Sequence, residues 1–105
     1  LIVGVAYKPG VSDTRESPAH DVMQLLDERR VDLRYHDPHV PEFRTDGLEY
    51  ESIPLTEAEL GRCDCAIILT DHDETDIETV VESAPLVFDA RNATSGIDAD
   101  HVVRL

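Results

Sequence analysis

The chain has 105 residues and a formal net charge of -14, with 23 Asp and Glu against nine Lys and Arg, which leaves room for one domain around one core. So acidic a balance repels nucleic acid and anionic membranes, and no apolar run approaches the length of a membrane span. Two cysteines, Cys63 and Cys65, are too few for a disulfide framework and fit a reducing cytoplasm.

Leu1 to Ala6 (LIVGVA) is a continuous apolar run, as expected for a central strand covered on both faces. The chain therefore begins inside a strand, without an initiator methionine or a basic leader, which predicts a piece of a longer protein. Tyr7 to Pro18 (YKPGVSDTRESP) connects that strand to a helix with Ser17 as N-cap and Pro18 at the first helical position. Ala19, Val22, Met23, Leu26 and Arg30 then fall on one helical face. Val31 to His36 reads as a second strand that stops at Asp37-Pro38. Residues 37 to 52 show no usable period and read as loop. Thr56 to Leu60 is expected as a short capped helix ending at Gly61.

Cys65 to Leu69 predicts a third buried strand, Asp73 to Ser83 a second main helix, Leu86 to Phe88 a fourth strand and His101 to Leu105 a short final one. This order predicts a three-layer α/β domain, an open parallel sheet of about five strands with helices on both faces. In such sheets ligands bind outside the carboxyl ends of the strands. Polar residues follow each strand there: Tyr7-Lys8, Asp37, Thr70-Asp71-His72, then Asp89 and Arg91. Lys8, Arg15 and Arg91 should gather along that edge.

Lys8 is the only lysine in the chain. With Arg15, Ser12 and Thr14 it lies just before a helix N-terminus, a combination suited to a diphosphate or carboxylate. The same cations could instead neutralise Asp13, Glu16 and Asp89. The eight arginines beside 23 acids suggest a surface adapted to high salt.

Other chemistries fit less well. Gly4 and Gly10 do not make a G-x-G-x-x-G turn. Cys63, Cys65 and His72 match no standard zinc spacing, and Cys65 sits in an apolar strand as a small hydrophobe. The five histidines have no evident nucleophilic serine or cysteine partner. Asp71 holds the position of a receiver-domain phospho-acceptor, but Tyr7-Lys8 stand where that site needs acids.

YKPGVSDTRESP resembles the opening of the C-terminal domain of the UDP-glucose/GDP-mannose dehydrogenase family. Three further segments are similar in the same order. His36-Asp37-Pro38 resembles a Tyr-Asp-Pro, Ile68 to Asp73 a Leu-Thr-Glu-Trp-Asp, and Asp89-Ala90-Arg91-Asn92 an Asp-Gly-Arg-Asn. The departures are Ala90 for glycine and His72 for tryptophan. The first bears on the backbone beside Arg91, since glycine adopts angles that alanine resists.

The resemblance implies a Rossmann-like domain over 1–105 that holds the UDP part of a nucleotide sugar. It implies substrate contacts from Tyr7, Lys8 and Arg91, and a contact from Arg15 to NAD held mainly by an N-terminal domain. Asp13, Glu16 and Ser17 read as loop and cap structure. The implied reaction is oxidation of a sugar C6 alcohol to a carboxylate in two NAD-dependent steps, through a thioester on a cysteine in a segment outside this chain. No catalytic residue is then expected here, and the piece alone should be inactive. A central helix, a homo-oligomer and polysaccharide biosynthesis are further implications. His36 to Phe43 (HDPHVPEF) looks more like the branch acting on UDP-N-acetylhexosamines than the UDP-glucose branch. The alternative is a stand-alone nucleotide-binding or regulatory module.

Overall fold

Side-chain alternation along β1 (Ile2–Val3) sets the layering. Ile2 enters one core and Val3 the other, and both are fully buried. The computed structural model describes residues 1–105. Five short strands form one parallel sheet in the order β2 (Tyr35–His36), β1, β5 (Ala66–Ile68), β6 (Val87–Asp89) and β7 (Val102–Arg104).

On one face α1 (Pro18–Glu28) packs Ala19 and Met23 against Ile2, Val5, Tyr35 and Leu69. On the other, Leu60 of α2 (Glu57–Arg62) and Val80 of α3 (Ile77–Ser83) pack against Val3, Ala66, Ile68 and Val87. This is the three-layer, Rossmann-like arrangement that the alternation of strand and helix predicts.

The helix starts follow local chemistry. The Ser17 hydroxyl accepts from the Ala19 N–H at 3.1 Å, with Pro18 opening the first turn. Thr56 and Asp76 cap α2 and α3 by accepting from Glu59 and Thr79. Several boundaries differ from expectation. Arg30 lies beyond α1 with φ 61°, so it belongs to no helical face. Gly61 sits inside α2, and residues 73–75 precede α3. The first strand stops at Val3 because Gly4 turns with φ 86°. Val5 and Ala6 stay buried, but their N–H groups turn to a side chain.

The larger correction is at 37–52, which is not simply a loop. β3 (Glu42–Thr45) and β4 (Leu48–Glu51) form an antiparallel hairpin around Asp46-Gly47. Both turn residues have positive φ, 43° and 83°, the geometry that an Asp-Gly pair favours in two-residue hairpin turns. Phe43 and Thr45 face inward and Arg44 pairs with Glu49 outside. Phe43 joins the core beside Tyr35 and His20.

Candidate functional site

Because the five strands are parallel, the segments after β1, β2, β5 and β6 share the carboxyl edge of the sheet. The first, Tyr7 to Gly10, is exposed. Its base is closed by the Tyr7 N–H donating to the Asp13 carbonyl at 2.7 Å. Its tip is tied by the Gly10 N–H donating to His72 Nδ1 at 2.9 Å. Lys8 is exposed between them and takes part in no ion pair.

His72 is held in turn by Asp37, and both side chains are fully buried. Asp37 Oδ2 accepts from His72 Nε2 at 2.9 Å and from the N–H groups of Val5 and Ala6 at 2.9 and 3.1 Å. Its Oδ1 accepts from the His39 N–H at 2.8 Å. A carboxylate buried with four donors is well compensated for its lost hydration. The Thr70 hydroxyl donates to the Ala6 carbonyl at 2.7 Å, closing the same corner.

Asp89 organises the segment after β6 in a similar way. It is fully buried, and it accepts from the N–H groups of Arg91, Ala93 and Thr94 and from the Thr94 hydroxyl at 2.6 to 3.1 Å. Burial alone pushes its carboxyl up, but these four donors outweigh burial and hold it below the usual carboxylate value. The Arg91 guanidinium, 44% exposed, lies 3.9 Å from Asp71. Ala90 keeps a negative φ and the left-handed residue of this turn is Asn92, so alanine at the glycine position brings no strain.

Lys8 and Arg91 thus stand on loops either side of the Asp71-His72 pair: His72 holds the Lys8 loop and Asp71 faces Arg91. Arg15 is placed differently. Its Nε and Nη2 fork onto Asp13, and the side chain is 88% exposed. The guanidinium holds the Asp13 carboxyl down at about 2. Arg15 is linked to the Lys8 loop through Asp13, but it contacts neither Lys8 nor Arg91 directly. The partners expected from sequence hold for Arg15 with Asp13, whereas Arg91 faces Asp71 and not the Asp89 carboxylate. Tyr7 is 51% exposed on the same loop.

Cys63 and Cys65 lie elsewhere. They line a cleft of about 490 Å³ at the amino ends of the strands, where the Leu1 backbone nitrogen donates to the Cys65 carbonyl. Burial pushes the Cys65 thiol up, the opposite of what a nucleophilic thiolate needs. The buried Asp37–His72 bracket was not evident from sequence; polar residues after strands two and five were visible, but not that they meet.

Residues 1–96 match the UDP-glucose/GDP-mannose dehydrogenase family, UDP binding domain. The chain belongs to that family. A UDP-N-acetyl-D-mannosamine dehydrogenase of Methanococcus vannielii is 40% identical over 73 residues, 70% of this chain and 16% of the relative. Its counterpart in Methanococcus maripaludis is 36% identical over 99 residues, 87% of this chain and 22% of the relative. The fold superposes on the UDP-D-ManNAc dehydrogenase structure from Pyrococcus horikoshii with a TM-score of 0.70 and 25% identity, over 98% of this chain and 23% of that one. The chain spans about a fifth of the length of these relatives. No helix is long and apolar enough to cross a membrane.

Proposed function

We propose that residues 1–105 are the UDP-binding domain, and the C-terminal part, of an NAD-dependent nucleotide-sugar 6-dehydrogenase that oxidises a C6 alcohol to a carboxylate. The observation that carries this reading is the pairing of two exposed cations, Lys8 and Arg91, on loops flanking one strand end in a domain of this family. Lys8 supplies a compact charge and Arg91 a planar fork, which together suit the two phosphates of UDP. Tyr7, exposed beside Lys8, offers a ring face and a hydroxyl to the nucleotide sugar.

Arg15 extends toward the cofactor. Its fork to Asp13 uses Nε and Nη2, so Nη1 remains for an anionic partner such as the NAD diphosphate. NAD, when bound mainly by an N-terminal domain, takes up the hydride; the residues of this chain bind and orient. The nucleophilic cysteine lies outside this chain, and the isolated domain is inactive. The whole enzyme is a cytoplasmic homo-oligomer.

For the sugar, UDP-N-acetylhexosamine is favoured over UDP-glucose. The Methanococcus relatives named for UDP-N-acetyl-D-mannosamine are 36% and 40% identical, against 28% for a UDP-glucose 6-dehydrogenase of Bacillus subtilis. The test is NADH formation by the full-length protein in high salt with UDP-N-acetylmannosamine, UDP-N-acetylglucosamine, UDP-glucose and GDP-mannose. Turnover of a UDP-N-acetylhexosamine is expected. A folded protein that oxidises none of the four overturns the proposal.

A further inference from the structure

We propose that His72 is a positioning residue for substrate binding: a neutral imidazole strut that sets the height of the Tyr7-Lys8 loop from the buried Asp37 carboxylate. The inference rests on the reading that this loop contacts the nucleotide sugar.

The protonation pattern follows from the partners. The Gly10 N–H can only donate, so His72 Nδ1, 2.9 Å from its nitrogen, must accept and carries no proton. The ring proton is then on Nε2, where it is given to Asp37 Oδ2 at 2.9 Å. One ring nitrogen accepting and the other donating defines a single neutral tautomer. A doubly protonated ring would set an N–H against the Gly10 N–H.

The strut is rigid at its inner end. Asp37 is pinned by Val5, Ala6 and His39, and the His39 ring lies 4.6 Å from His72 with its own Nε2 against Glu74. Its outer end is the hydrogen bond that reaches from residues 7–12 to another part of the fold, beside the Val11 side chain that packs against the core; the Tyr7–Asp13 bond is local. Gly10 at φ 81° has open space where a side chain would stand, so packing holds Val11 and not the tip before it, which the hydrogen bond to His72 fixes. Without His72 the loop is held only at Tyr7 and Val11, and the Lys8 ammonium between them is less closely fixed, although its charge remains.

Three variants of the full-length protein test this: H72F, which keeps a ring but neither hydrogen bond; H72Q, which keeps one donor and one acceptor; and K8A. Hydrogen exchange at the Gly10 amide reads the bond itself. H72F should raise KM for the UDP sugar about tenfold with kcat little changed, and Gly10 exchange should accelerate while the β1 and β5 amides stay protected. H72Q should recover most of both effects. The positioning role is overturned if H72Q is as impaired as H72F, or if H72F alters neither KM nor Gly10 exchange. K8A separates the two readings, since an unchanged KM in K8A overturns the substrate role of the loop whatever His72 does. Should H72F fail to fold, Gly10 exchange in the unaltered protein decides. Protection near that of the sheet supports the strut, and exchange as free as an exposed loop amide overturns it.

Discussion

Gly4 packs against Thr70 so closely that a β-carbon on it would lie 2.2 Å from the Thr70 carbonyl oxygen and 2.5 Å from the Thr70 β-carbon. With φ 86°, the backbone is also in the region that alanine resists. This contact ends β1 and turns Val5 and Ala6 toward Asp37. Gly4→Ala should therefore destabilise the protein by about 3 kcal/mol or more, through clash and backbone strain together. Urea unfolding of the variant beside the unaltered protein measures this, and a loss below about 1 kcal/mol would contradict the contact.

Asp89 gives stability an acid-range pH dependence of known sign. Its folded carboxyl sits below the ordinary value of 3.8, so the unfolded chain binds its proton more readily. Its contribution is complete above about pH 5 and is lost as pH falls through the ordinary value and then the depressed folded one. Both oxygens accept from N–H groups, so an asparagine in either orientation sets its NH₂ against a donor. Asp89→Asn should cost roughly 2–4 kcal/mol at neutral pH and flatten the acid limb of the stability curve. An unchanged acid limb would remove Asp89 from this role.

Arg15 serves as a test of the division of labour. Its exposed pair with Asp13 contributes little to stability, so Arg15→Ala should leave the melting temperature near its original value. In the full-length protein, KM for NAD should rise roughly tenfold while affinity for UDP is unchanged. Equal effects on the two ligands would place Arg15 with the substrate instead.

A net charge of -14 on this one domain sets up self-repulsion that salt screens. The melting temperature should climb from low to molar salt. A flat profile would mean that the acids are dispersed too widely to repel.

Much of the fold is legible in the chain because the signals are local. Ser17-Pro18 and Thr56 act as helix starts, and the apolar runs around Ile2, Ile67 and Val87 become the central strands. The β3–β4 hairpin escapes a reading for apolar periodicity, since Glu42, Arg44, Glu49 and Glu51 dilute its pattern. The Asp46-Gly47 turn was the available signal. Arg30 completes a helical period on paper, but its left-handed backbone takes it out of α1.

The candidate site divides the same way. Lys8 and Arg91 can be placed from strand order alone, because parallel strands send their following residues to one edge. The Asp37–His72–Gly10 chain cannot, since it joins residues 35 and 62 positions apart through side-chain geometry. Arg15 follows the local rule of its nearest acid, Asp13, and no strand-order argument places its guanidinium.

The most direct test is calorimetric titration of the full-length protein with UDP, for the unaltered chain, Lys8→Ala, Arg91→Ala and the double variant. Each single change should weaken binding by about 1.5–3 kcal/mol, the value of a charge-assisted contact, with little loss of fold because both side chains are exposed. The double variant should show no measurable binding. UDP affinity unchanged in folded Lys8→Ala and Arg91→Ala proteins would contradict the assignment of this loop pair as the UDP site.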